Sequence, residues 1–246
     1  ELQFKIPASG MAASFTEANE IAGRIGYPVI CRPSYVLGGR RMEVVENEDE
    51  LASYFERHGS FISASEPCLM DQFLEGALEV DVDLVRGVDW MVIGGIVEHI
   101  EAAGVHSGDS MGVLPPQRLK KSICEKIEDL AKRLAVRLDT IGHLNLQLAV
   151  KNDQVYMLEA NPRSSRSVPF VSKATRIPMI DLGVQAVLGR KSIEVQPARY
   201  QWDATDDVSV KGVVFPFKKF PESDSILGPE MKSTGESMGR GIDYAE

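Results

Sequence analysis

"VYMLEANPR", residues 155–163, reads as a strand running into a turn, with apolar residues alternating with others and a proline closing the run. Residues two apart on a strand share a face. The face that a strand would give to water therefore carries Glu159 and Asn161, with Arg163 just past the proline. The preceding run "LNLQLAV" (144–150) is a second strand, and "KNDQ" joins the two. A three-residue loop of Asn152, Asp153 and Gln154 pairs Val155 with Lys151. It then sets Glu159 opposite Gln147 and Asn161 opposite Asn145 on one face. A two-residue loop would put Glu159 and Gln147 on opposite faces. In the first register one patch holds a carboxylate and three amides, all oxygen donors. Mg²⁺ or Mn²⁺ takes few protein oxygens, keeps some waters and completes its shell with phosphate oxygens, which suits such a patch. Arg163 stands where it can reach the same phosphates. A solvated polar strand face shows the same alternation, and the pattern alone leaves the two readings even.

The chain has 246 residues, 43% hydrophobic and 26% charged, which bounds it to one large globular domain or two small ones. Its formal charge is −9 and no Lys/Arg run supplies a basic face, so nucleic acid is excluded as a partner. Cys31, Cys68 and Cys124 make no CxxC pair, which points to reduced thiols in a cytoplasmic protein. No apolar run is long enough to span a bilayer and no signal peptide opens the chain, so no membrane is expected. The start "ELQFKIPASG" lacks an initiator Met and reads as mid-domain, as in a piece of a longer chain.

Along the chain, "YPVICRPS" (27–34) is a short strand, "SYVLGGRR" a glycine loop and "MEVVE" a returning strand. "NEDELASYFERHG" opens with an Asn cap and an acidic first turn, then shows helical spacing at Leu51, Tyr54 and Phe55. "CLMDQFL" and "LEVDVDLV" (78–85) are strands. The second alternates Val80, Val82 and Leu84 with Glu79, Asp81 and Asp83. "WMVIGGIVEHI" is a strand bent or closely approached at Gly94-Gly95. Residues 101–117 read as a long glycine-rich loop. "RLKKSICEKIEDLAKRLAVRLD" is the clearest helix, with Leu119, Ile123, Ile127, Leu130 and Leu134 as its stripe. "SSRSVPFVSKATR" and "MIDLGVQAVLG" are helical. The tail from 195 holds a strand "GVVFPF" and a looped end. The class is α+β, antiparallel strands with helices on one side.

Other candidate sites are weaker by pattern. In "RPSYVLGG", Arg32 ends a strand beside a glycine loop whose amides suit phosphate. Spacing alone favours a plain turn with a surface arginine, since no Walker loop is present. Glu79, Asp81 and Asp83 read first as the wet side of a sheet, and His106 in "GVHSGDS" as a surface loop residue. No nucleophile constellation stands out.

Five segments, "GYPVICRPSYVLGGRRM", "EVDVD", "EHIEAAGVHSGDS", "NLQLAVKNDQVYMLEANPRSSRSVPFVSKAT" and "LGPEMKSTGESMG", together resemble the large chain of carbamoyl-phosphate synthase. They run in register over nearly the whole chain. "RPSYVLGGR" and "GVHSGD" look like the second of that family's two ATP-grasp halves. The resemblance implies an ATP-grasp fold truncated at its N-terminal end, with residues 1–194 as the ATP-grasp domain. Residues 195–246 would then be a C-terminal segment of the same half.

The resemblance also implies ATP-dependent phosphorylation of carbamate to carbamoyl phosphate, a step serving arginine and pyrimidine biosynthesis. Gln147, Glu159 and Asn161 would hold two Mg²⁺ or Mn²⁺ ions, with K⁺ as an optional further ion. Arg32 would contact ATP phosphate, and Gln72 and Leu74 would line the adenine pocket. Glu79 would hold the ribose, and Gly104, Val105, His106 and Ser107 would close over the nucleotide. Arg163, Asn161 and Glu159 would carry the chemistry. The implied partners are a small glutaminase subunit and the rest of the large chain, with carbamate, bicarbonate and ammonia as small substrates.

An earlier ATP-gripping stretch of the family has no counterpart before Glu1, so the chain alone is expected not to turn over. Ser164-Ser165 and Arg176 stand where smaller residues (two alanines and a glycine) are expected, which predicts altered packing and retained metal binding. The "E-x-N-x-R" strand end also fits another carboxylate–amine ligase such as a biotin carboxylase. A non-catalytic nucleotide-binding half remains a further reading.

Overall fold

In the computed structural model, which describes residues 4–36, 38–204, 206–219 and 225–244, the strands form two antiparallel sheets. Leu37 of the glycine loop lies outside the described residues. The smaller sheet contains β1 (Ser9–Ala12), β2 (Val29–Pro33), β3 (Glu43–Val45) and β4 (Cys68–Gln72), in the order β1-β4-β2-β3. Helices α1 (Phe15–Ile25) and α2 (Glu48–His58) pack with it. The α2 start follows its sequence signal. The Asn47 side chain accepts from the Glu50 N–H at 3.0 Å, and three acids in the first turn complement the helix dipole. Leu51, Tyr54 and Phe55 are buried with Val29, Cys31, Cys68 and Met70 of the strands. Cys31 and Cys68, distant in sequence, sit diagonally across β2 and β4 as free thiols.

The larger sheet contains β5 (Leu78–Arg86), β6 (Met91–His99), β7 (Gly112–Leu114), β8 (Gly142–Lys151), β9 (Gln154–Asn161), β10 (Val208–Val214) and β11 (Gly235–Gly241). Its order is β11-β10-β7-β6-β5-β8-β9. Val80, Val82 and Leu84 of β5 and Leu144, Leu146 and Leu148 of β8 make an apolar face. Three helices bury it: α3 (Lys121–Arg137), α4 (Val168–Thr175) and α5 (Met179–Val187). The short α6 (Ser192–Val195) follows. Ile123, Ile127, Leu130 and Leu134 are the buried stripe of α3, while Leu119 precedes the helix and is only partly buried. In β6 the register passes from Asp83 opposite Gly95 to Leu84 opposite Ile93, so Gly94 is an extra, bulged residue. A Cβ on Gly94 would lie 2.6 Å from Met179 Cε of α5, which is the close approach expected there.

Two expectations about loops are corrected. Residues 101–117 include β7, which pairs with β6 and β10, and the looped tail contains β11. The tail strand itself is Val208–Val214, earlier than "GVVFPF". Three-residue β7 is too short for its own periodicity to identify it and β11 is rich in glycine; pairing outward from the edge of β6, β7 on β6, β10 on β7 and β11 on β10, makes them strands.

The β8–β9 hairpin corrects the loop and keeps the face. Lys151 pairs with Gln154, so the turn has two residues, Asn152 and Asp153, both with positive φ (51° and 59°) as a type I′ turn requires. That turn alone would send Glu159 to the far face. A bulge at Leu158 restores it: Leu148 pairs with Met157, and Gln147 pairs with Glu159. Leu158 and Glu159 consequently both line one cavity.

Helix α4 ends on Arg176 in the left-handed region (φ 60°, ψ 16°), a C-cap that favours glycine. Arg176→Gly is expected to add about 1 kcal/mol of stability. For a chain of this size that raises the thermal midpoint by roughly 2–4 °C. An unchanged or lower midpoint in a thermal melt would show that contacts of the arginine side chain offset its strain.

Candidate functional site

A cavity of about 860 Å³ lies between the two sheets. Arg32 and Gln72 border it from the smaller sheet, with Leu74 just beyond β4. Glu79, Gln147, Glu159 and Asn161 border it from the larger sheet, with Arg163 past β9. The loop Gly104, Val105, His106 and Ser107 completes the lining. The structure thus gathers around one space every site residue that the resemblance implies, while Asp83 of the acidic face lies outside its lining.

One end of the cavity is apolar. Leu74, Ala77 and Ala149 are buried there, with Tyr156 and Leu158 packed against them. The Gln72 N–H donates to the Ala8 carbonyl at 2.8 Å, and the Leu74 carbonyl accepts from Ala77 at 3.0 Å. Among the described residues the Leu74 N–H takes no backbone partner, which leaves it as a donor for a ring edge.

The other end is the oxygen-rich strand edge. Gln147 Nε2 donates to Ser107 Oγ at 2.8 Å, leaving its carbonyl oxygen as an available donor atom for a cation. Asn161 Oδ1 accepts from Arg163 Nη2 at 3.4 Å. The Glu159 carboxylate lines the cavity and has no hydrogen bond or ion pair among the described residues. No group of three or more His, Cys, Asp or Glu suited to a metal occurs among them either. One carboxylate among amide oxygens does not make a closed protein cage. It does fit a hard divalent ion that draws its remaining ligands from water and phosphate.

The acidic face of β5 is not wet. Asp81 and Asp83 are 4% and 2% exposed, because the cavity wall and the start of α4 cover them. Asp83 accepts from Ser165 Oγ at 2.7 Å, Ser167 Oγ at 2.6 Å and Asn145 Nδ2 at 3.1 Å. Burial pushes its pKa up to about 6, against the hydrogen bonds of the two serines and the asparagine. The altered packing expected at Ser165 is therefore a hydrogen bond that ties the segment before α4 to the sheet.

His99, which pairs with the cavity-lining Asp81 and Glu79 without lining the cavity itself, is a residue that sequence reading missed. It is 2% exposed at the end of β6, with Nε2 3.1 Å from Asp81 Oδ2 and Nδ1 3.6 Å from Glu79 Oε2. Burial opposes its charge, but the two carboxylates outweigh burial and push its pKa up to about 9. Burial likewise works to raise the Asp81 carboxyl, yet the imidazolium holds it below its ordinary value. Nothing in the strand pattern signals this histidine, since its partners come from β5.

The loop 104–107 is held from several sides. Gly104, at φ 97°, donates its N–H to Glu79 Oε1 at 3.1 Å. His106 is half-buried, contrary to the surface reading, and burial lowers its pKa so that the neutral form prevails at pH 7. Its Nδ1 accepts from the Gly108 N–H at 3.0 Å, which puts the ring proton on Nε2. The tail then straps the loops together. His106 N donates to Gly228 O at 2.8 Å, and buried Asp109 accepts from the backbone of Lys232 and Ser233 at 2.7 and 2.8 Å. Met231 N donates to Gly38 O at 2.9 Å. A Cβ on Gly39 (φ 71°) would collide with the Pro229 carbonyl, so the glycine loop serves this close approach.

The profile of the family described as carbamoyl-phosphate synthase L chain, ATP binding domain, matches residues 1–194. The carbamoyl phosphate synthase large chain of Methanoculleus marisnigri is 51% identical over 243 residues, which is 99% of this chain and 22% of that one. The C-terminal section of the large chain of Methanocaldococcus jannaschii is 51% identical over 243 residues, 96% of this chain and 39% of that one. The chain thus spans well under half the length of these relatives. Among solved structures, N5-carboxyaminoimidazole ribonucleotide synthetase from Thermus thermophilus has a TM-score of 0.74 at 17% identity, over 99% of this chain and 65% of that one. Biotin carboxylase from Campylobacter jejuni gives 0.69 at 18%, over 85% and 48%. Both share the ATP-grasp fold, and at such identities they speak to fold alone. Among the described residues no helix is long and apolar enough to cross a membrane. With most of its length, residues 1–194, matched by one profile, the chain belongs to the ATP-binding domain family of the carbamoyl-phosphate synthase large chain.

Proposed function

We propose that this chain is the ATP-binding part of the second half of a carbamoyl-phosphate synthase large chain. In the complete protein it would phosphorylate carbamate, giving carbamoyl phosphate and ADP. The observation that carries this reading is the single cavity with an apolar slot at one end and the Gln147–Glu159–Asn161 edge with Arg163 at the other. In it, Leu74 and Leu158 flank the adenine, Glu79 takes the ribose hydroxyls, and Arg32 meets phosphate. Gln147, Glu159 and Asn161 hold Mg²⁺ or Mn²⁺, which when bound offsets phosphate charge; K⁺ is a further ion of this reading. A carbamate oxygen attacks the γ-phosphorus as the bond to the β–γ bridging oxygen breaks and its electrons stay on ADP. Arg163 balances charge on the transferred group and Asn161 orients the guanidinium. Residues 1–194 and 195–246 act as one unit. Bicarbonate, ammonia from a glutaminase subunit, a cytoplasmic setting and service to arginine and pyrimidine synthesis complete the proposal.

Calorimetric titration of this chain with ADP and Mg²⁺ tests the site. One-to-one binding that weakens when EDTA removes the metal is expected. Absence of binding, or binding indifferent to metal, would overturn the site assignment. On a complete large chain, formation of ATP from ADP and carbamoyl phosphate tests the chemistry by its reverse.

A further inference from the structure

Lys211 is a lysine 1% exposed, among the largest fully buried side chains, and it lines the nucleotide cavity. It comes from β10, beyond the residues that the family profile matches. It sits between Gly112 of β7 and Met238 of β11, and the absent side chain at Gly112 leaves room for its stem. Two carboxylates face it, Asp81 and Glu236, and each has a buried oxygen without a partner. A lysine serving only to neutralise them would bond to one of them. Instead its Nζ donates to the backbone carbonyl of Ser107 at 3.1 Å. An ammonium has three donors and is costly to bury, so this choice of partner is informative.

The loop over the cavity has three anchors on the larger sheet. Glu79 accepts from Gly104 N, Gln147 donates to Ser107 Oγ, and Lys211 donates to Ser107 O. On the nucleotide reading, from which this argument starts, Glu79 must turn to the ribose, and Gln147 shares its amide between Ser107 and the metal. Lys211 is the anchor with no duty to the ligand. We infer that Lys211 is a positioning residue of the ATP site: it holds the Ser107 backbone so that His106 and Ser107 stay over the cavity while Glu79 and Gln147 engage the nucleotide.

The test is hydrogen exchange on this chain, free and with ADP and Mg²⁺, for wild type and Lys211→Met. A second variant, Lys211→Met with Glu236→Gln, removes a counter-charge as well and decides the question where the single variant does not fold. Exchange at the amides of residues 104–110 is expected to rise about tenfold or more, with the amides of α3 unchanged, because the opening is local. ADP affinity should fall while its dependence on Mg²⁺ persists. Unchanged exchange in 104–110, or a rise shared equally by α3, would overturn the inference. If wild type binds no ADP the nucleotide reading fails, while exchange in the free protein still decides what Lys211 holds.

Discussion

Replacing Glu159 with alanine is expected to weaken magnesium-dependent ADP binding by about a hundredfold, on the order of 3 kcal/mol. Glu159 is the carboxylate of an otherwise amide-rich edge, set opposite Gln147 by the β8–β9 register. A hard divalent ion draws on at least one carboxylate beside water and phosphate, and amide oxygens alone supply no formal charge. Affinity for ADP without metal should hardly change, because the apolar slot and Glu79 are untouched. Nor should stability fall, since the carboxylate forms no hydrogen bond or ion pair with the described residues. Calorimetry of both proteins with and without EDTA, beside a thermal melt, separates these effects. An equal loss with and without metal would assign Glu159 to the nucleotide itself and remove it from the metal edge.

Replacing His99 with leucine is expected to cost about 3–5 kcal/mol of stability, because it strands Asp81 and Glu79 in the cavity wall without their shared cation. The same histidine predicts how the wild type responds to pH. Its folded pKa of about 9 stands above its ordinary value, so the protonated form stabilises the fold. That contribution is complete below about pH 6.5 and is lost as pH rises through about 9, on the order of 3 kcal/mol in all. The charged groups around it are Asp81 and Glu79 from β5, with Lys211 beyond Asp81 and the Arg118 guanidinium on the His99 carbonyl. Urea unfolding at intervals from pH 6 to 10 should show wild-type stability falling across that window and the leucine variant losing this component. A parallel decline in both proteins would place the pH dependence elsewhere.

Much of the architecture was legible because it rests on local periodicity. The Asn47 cap, the Ile123–Leu134 stripe and the alternation of residues 78–85 each concern neighbours along one element, and each has the predicted place. The strand-end group Glu159, Asn161 and Arg163 was legible for the same reason. The hairpin marks where that reasoning stops. Either loop length is compatible with "KNDQ", and the shared face survives a two-residue turn only through the bulge at Leu158. Pairing along the whole of β8 sets that bulge, and the sequence of the turn alone does not.

The burial of Asp81 and Asp83 was illegible because alternation tells which side chains share a face and not what covers it. Asp83 meets serines more than eighty positions away, and Asp81 meets a histidine from the next strand. Lys211 reaches Ser107 from a strand that its own sequence barely announces. The sequence by itself determined the strongly periodic elements and which residues could act as oxygen donors, since both follow from side-chain type and spacing. Only the tertiary structure decided the register, the dry side of β5 and the tail's place over the cavity, since these depend on contacts between segments whose separation in the chain leaves no periodic trace.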